Sequence, residues 1–181
     1  MQPPMKSGNS DDFQTPAEAL LPLIPYLKRD WIIWECAKGQ GNLVKGLETE
    51  GFTVVGSDIK DGQDFLFYTP EKWNCIITNP PYSLKERFLE RCYSLKSPFA
   101  LLMPLTALES ERRQKLYRTF GLQVIFLNRR INFQTPSGNG TGSWFATAWF
   151  TWGLGLDKDM TFTKSQRPAP SASAERGGMT R

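Results

Sequence analysis

Residues 75 to 83 read CIITNPPYS. Cys75 to Thr78 form a short apolar and β-branched run, as in a strand buried on both faces. The run goes straight into Asn79-Pro80-Pro81-Tyr82. Neither proline has an N–H to give to a ladder, so the strand must end there. Asn79 precedes a proline and is held extended. The product is a stiff elbow at a strand end, presenting one amide, one carbonyl and one phenol ring.

On either side of this elbow, strand and helix patterns alternate. Upstream, Thr15-Pro16 looks like a helix cap with proline at the first helical position, opening AEALLPLIPYL. WIIWE (31–35) reads as a buried strand and LVKGLETE (43–50) as a helix closed by Gly51. FTVVGSD (52–58) is a second strand ending on an acid, and DFLFY (64–68) a short third strand or turn. Downstream, Ser83 and Glu86 make a capping-box pattern before the apolar stripe of Leu84, Phe88, Leu89 and Cys92. FALLMP (99–104) and LQVIFLN (122–128) are strands flanking a charged helix over 109–120. A Gly-rich turn, PSGNGTG (136–142), leads into the strand SWFATAWFTW (143–152). This alternation predicts an α/β domain: a mainly parallel, seven-stranded sheet with one antiparallel strand near its edge and helices on both faces. The domain is expected over 13–156, between a disordered N-terminus (1–12) and a flexible Pro/Ser/Gly-rich tail (157–181).

The totals narrow the chemistry. The chain has 181 residues, of which 40% are hydrophobic and 22% charged, enough for one domain with a real core. No apolar run reaches membrane length, and the N-terminus lacks an apolar signal region, so a cytoplasmic protein is expected. Cys36, Cys75 and Cys92 are odd in number and lack CxxC spacing, which argues against a disulfide framework or zinc site. There is no histidine, so neither the commonest general base nor the commonest metal ligand is present. The net charge of +4 is shared between the body and the tail and is by itself weak support for a nucleic-acid partner.

Ligands of open α/β sheets sit beyond the carboxyl ends of the strands. There the sequence places Glu35 and the loop Cys36-Ala37-Lys38-Gly39-Gln40-Gly41-Asn42, then Asp58, Asp64-Phe65 and the elbow. The glycines let backbone approach a ligand, although a GxG also occurs in ordinary strand-to-helix turns. Asp58 suits the two hydroxyls of a ribose, or is a turn acid. Asp64-Phe65 suits an adenine, with carboxylate to amino group and ring to ring, or is a turn acid with a core phenylalanine. Together these pieces describe an adenosine-containing ligand without a phosphate loop. At the elbow, the Asn79 amide oxygen and the Pro80 carbonyl are two acceptors close together. They suit an amino group with two hydrogens to give, and Tyr82 offers a face to a flat ring.

At these residues the chain resembles the S-adenosylmethionine-dependent amino-methyltransferases, most closely small phage-type DNA adenine-N6 methyltransferases, over roughly residues 12 to 153. Asn79-Pro80-Pro81-Tyr82 is similar to the family's catalytic motif. The resemblance implies that Asn79 and Pro80 hold the target amine and Tyr82 stacks on the base, with Pro81 and Ser83 beside them. WECAKGQGNL resembles the methionine-binding loop, with Ala37-Lys38 as a mild departure. This implies cofactor contacts from Glu35, Cys36, Ala37, Gly39, Gly41 and Asn42, from Asp58 and Ile59 at the ribose, and from Asp64 and Phe65 at the adenine. Phe13-Gln14-Thr15-Pro16 resembles the N-terminal cofactor motif, with Gln14 where an aromatic is usual, and implies Thr15 and Pro16 as cofactor contacts. GTGSWFATAWFTW resembles a segment near the target base and implies Trp144 and Phe145 as base contacts; a packed edge strand is the other reading. Lys85, Arg87, Arg112, Arg113, Arg129 and Arg130 are candidate phosphate contacts. The implied activity is methylation of the adenine N6 amine in DNA after base flipping, with low or short sequence specificity and no metal. The same elbow would serve a methyltransferase acting on RNA or on a protein glutamine. A catalytically silent nucleic-acid-binding module on this fold is a further alternative.

Overall fold

The computed structural model describes residues 14–133 and 145–163. The N-terminus expected to be disordered, the turn at 136–142, Trp144 and the tail beyond 163 lie outside the described residues. Seven strands form one sheet: β1 (Ile32–Glu35), β2 (Thr53–Gly56), β3 (Cys75–Thr78), β4 (Phe99–Pro104), β5 (Gln123–Phe126), β6 (Thr147–Trp152) and β7 (Met160–Phe162), in the order β2-β1-β3-β4-β6-β5-β7. All pairings are parallel except those of β6, which runs antiparallel to β4 and β5. This is the expected Rossmann-like architecture: a mainly parallel, seven-stranded sheet with one antiparallel strand near its edge.

Strand alternation builds two cores. Ile33, Ile77 and Leu102 face one side with Leu43 and Leu47 of α1 (Asn42–Thr49). Trp34, Ile76 and Leu101 face the other with Phe88, Leu89 and Cys92 of α2 (Lys85–Leu95) and with Leu116 and Tyr117 of α3 (Glu111–Phe120). Every residue of β3 and β4 is buried, which explains their unbroken apolar runs.

Several local expectations change. AEALLPLIPYL forms two short 3-10 turns, Ala17–Leu20 and Ile24–Tyr26, instead of a helix. Pro22 and Pro25 remove the amides a continuous helix would need. This segment is held to the sheet where the Trp149 indole donates to the Ala19 carbonyl at 2.8 Å. Of the two readings of DFLFY, strand or turn, the turn holds, because the Asp64 carboxylate accepts from the Leu66 amide at 2.9 Å and the Asp64 carbonyl from the Tyr68 amide at 2.7 Å. The seventh strand is β7, in what was expected to be tail. It is three residues between polar neighbours, too short for a periodic signal, and is held by register with β5. α2 starts at Lys85 with Leu84 at the N-cap, so Ser83 does not cap it. Glu86 pairs instead with Arg112 and Arg113.

Candidate active site at the carboxyl edge of the sheet

β1, β2 and β3 are parallel, so their last residues open onto the same edge. A cleft of about 360 Å³ lies there, within the size range of small-molecule sites. Thr15, Glu35, Ala37, Gly39, Asp58 and Asn79 all border it, brought together from four separate segments. Asn42, Ile59 and Pro81 border it too.

Glycine and acid fix the loop after β1. Gly39 sits at φ +51°, and a Cβ there would stand 2.9 Å from Gln14 Oε1. Gly41 at φ +81° turns the chain into α1. The Gly39 amide donates to Asp58 Oδ2 at 2.9 Å, and the Lys60 amide donates to Asp58 Oδ1 at 2.9 Å. Asp58 thus clamps two loops together at the cleft wall. Each oxygen keeps further acceptor capacity for a ligand hydroxyl. The Gln40 amide donates to Gln14 Oε1 at 3.0 Å, tying the N-terminal segment to the same loop. Lys38 lies over the cleft and pairs with Asp61 at 2.7 Å.

Glu35 is 1% exposed at the end of β1. One carboxylate oxygen accepts from the Ala37 amide at 3.0 Å and, by a short contact, from the Thr78 hydroxyl. Burial, reinforced by the nearby Asp58 charge, pushes this carboxyl up to about 8, while the two hydrogen bonds oppose the rise. Thr78 is the residue before Asn79, so the end of β1 and the elbow share one buried contact. That link was not read from sequence; an acid and a threonine closing neighbouring strands were its only trace.

At the elbow, Pro80 is buried and Asn79 and Pro81 border the cleft. The Tyr82 ring meets Phe145 edge to face at 5.7 Å, and Phe145 stacks on Phe133 at 6.3 Å. Phe145 therefore stands beside the elbow, while Trp144 lies outside the described residues.

Other expected residues stand elsewhere. The Phe65 ring is in the core against Trp34 and Phe88, at centroid distances of 5.2 and 4.6 Å, and offers no face to the cleft. Asp64 is occupied in its own turn and does not border the cleft. Cys36 is buried in the core, where burial raises its thiol well above the ordinary value. Gly41 shapes the loop without bordering the cleft. Pro16 borders a second groove instead, together with Arg129 and Arg130. Two cations are used structurally: Arg112 pairs with Glu86 and Glu90, and the mostly buried Arg113 donates to the carbonyls of Ala107 and Glu109. Lys85 donates to the Tyr82 carbonyl at 2.9 Å. Gln14, Lys38, Leu43 and Lys60 border the cleft and were not among the expected contacts. Gln14 and Lys38 were signalled only by adjacency to Thr15 and Gly39.

No family model matches the chain. No curated protein matches it either. Among solved structures it is similar to a dimethyladenosine transferase from Plasmodium falciparum, at 14% identity and TM-score 0.49, with 76% of this chain and 62% of that one covered. It is also similar to the modification subunit assigned to a type I restriction enzyme of Vibrio vulnificus, at 14% identity and TM-score 0.48, with 80% and 45% covered. The chain thus spans less than two thirds of the length of both.

The cleft can be tested for fit to S-adenosylmethionine. Thr15 Oγ1 is buried at its wall with no hydrogen-bond partner among the described residues. A buried hydroxyl left so is costly unless a ligand completes it. Asp58, whose two oxygens keep acceptor capacity, borders the same cleft and suits the hydroxyls of a ribose. This polar set fits the cofactor.

Proposed function

We propose that the protein is an S-adenosylmethionine-dependent N-methyltransferase whose substrate is the exocyclic N6 amine of adenine in DNA. The observation that carries this reading is the position of Asn79. It directly follows β3, borders the cleft, and stands one residue from the Thr78 hydroxyl that meets Glu35.

When bound, the cofactor would supply an electron-poor methyl carbon on sulfur that an amine nitrogen can attack in line, with the carbon–sulfur bond breaking and its electron pair left on sulfur. Thr15, Gly39 and Asp58 would hold it, with Ile59 at the rim. The chain's own contribution is positioning and charge. The Asn79 amide oxygen and the Pro80 carbonyl accept the two hydrogens of the target amine. That draws the nitrogen toward a tetrahedral shape and frees its lone pair for the methyl carbon. The same acceptors stabilise the ammonium that develops, whose extra proton then leaves to water. Tyr82 and Phe145 supply aromatic surface for a base turned out of its stack. No histidine is required at any step. The recognition that goes with this reading is of low or short sequence specificity.

The test is transfer of labelled methyl groups from S-adenosylmethionine, with duplex DNA, single-stranded DNA, RNA and a protein lysate offered in parallel. Label recovered as N6-methyladenine in DNA supports the reading. Label in RNA or in protein glutamine keeps the elbow chemistry and replaces the substrate. No label, with no cofactor binding, refutes it in favour of a silent binding module.

A further inference from the structure

Beyond β5 lies a second groove of about 550 Å³, larger than the cleft and not used by the chemistry above. β5 points the same way as β1, β3 and β4, so the chain leaving Phe126 emerges at the same edge as Asn79. The floor is apolar: Ile125, Leu127 and Ile131. One wall is the N-terminal segment, with Pro22, Pro25 and the half-buried Tyr26; it also carries the acid Glu18. The other wall carries Arg129 and Arg130, both exposed and without a hydrogen bond or ion pair among the described residues.

The groove is connected to the elbow. The segment that holds Arg129 and Arg130 continues to Phe133, which stacks on Phe145, which in turn meets Tyr82. β3 and β5 are three places apart in the sheet, so the groove mouth lies about 14 Å from the strand end at Asn79. A few nucleotides span that distance.

Resting on the nucleic-acid reading above, we propose that this groove takes the unpaired nucleotides flanking the target base on one side. Arg129 and Arg130 meet their phosphates, and a flanking base lies over the Tyr26 and proline wall. Two paired-off cations would be expected had the wall a structural role; here both guanidiniums face solvent over an apolar floor. That combination of backbone charge and ring surface is what single strands are bound by.

The test measures binding of fluorescent single-stranded oligonucleotides across a salt series, in wild type and in Arg129→Ala/Arg130→Ala. Each phosphate contact to a single strand contributes about 0.7 to the slope of log K against log salt. The double variant should flatten the slope by about 1.4 while S-adenosylmethionine affinity is unchanged, and Arg129→Lys/Arg130→Lys should restore it. In a length series, nucleotides added on one side of the target adenine should raise wild-type affinity but not that of the alanine variant. An unchanged slope with methyl transfer to nucleic acid intact overturns the groove alone. Loss of binding to an acidic peptide, with oligonucleotide binding kept, replaces the occupant by a polypeptide. No oligonucleotide binding in wild type overturns both this inference and the nucleic-acid reading.

Discussion

Glu35→Gln should remove a pH dependence of stability that the wild type carries near neutrality. Burial pushes the Glu35 carboxyl from 4.5 to about 8 in the folded protein. Unfolded, it returns to the ordinary value. Between those two values the folded state holds a proton that the unfolded state has lost, so stability falls as pH rises. The slope approaches 1.36 kcal/mol per pH unit, so raising pH from about 5.5 to 7.5 should cost about 3 kcal/mol. The chain makes this readable because it has no histidine to titrate in the same window. Above about pH 8 the buried cysteines, whose thiols are also raised by burial, add a loss of the same sign and end the clean window. The assay is urea denaturation of the ligand-free protein at several pH values. The wild-type midpoint should fall across the window, and the Glu35→Gln midpoint should stay nearly level. Parallel curves for the two proteins would mean that Glu35 ionises normally inside the fold, which would refute the account of its burial.

Other perturbations have separable outcomes. Asn79→Ala should abolish or severely lower methyl transfer while leaving cofactor affinity in place, read by activity and calorimetry together; a loss confined to cofactor binding would contradict the role of the elbow. Asp58→Ala leaves the Gly39 and Lys60 amides without their acceptor, at about 1–3 kcal/mol for the stranded groups, and should weaken cofactor binding measurably. Gly39→Ala must place a side chain at positive φ and within 2.9 Å of Gln14, so it should lower both the melting temperature and cofactor affinity. Leu102→Ala, at a fully buried site in β4, should cost about 2–5 kcal/mol with little effect on cofactor affinity once folded. Arg113→Ala should destabilise the fold, seen in thermal melts, because its guanidinium holds the carbonyls of Ala107 and Glu109.

The strands were legible where burial on both faces forces long apolar runs, as at Cys75 to Thr78 and Phe99 to Pro104. The elbow was legible because two prolines admit few conformations, and its amide and ring lie within one four-residue stretch. The glycine loop and Asp58 were legible as pieces at strand ends, since a parallel sheet gathers those ends on one edge. Several features belonged to contacts between distant segments and left no local trace. The Phe65 ring turns to Trp34 and Phe88 because the core there needs an aromatic and the Asp64 turn sets its direction. Met160 to Phe162 becomes a strand only because β5 offers an open edge in register. Glu35 acquires its raised carboxyl because the folded sheet buries it; the Asp58 charge, from beyond β2, adds to the rise, and the Thr78 hydroxyl, from β3, opposes it. Sequence by itself determined which chemical groups stand at which strand ends, through rules that act over a few residues. Only the tertiary structure decided which of them meet, because burial, charge and the second groove depend on segments more than a hundred residues apart being folded onto one another.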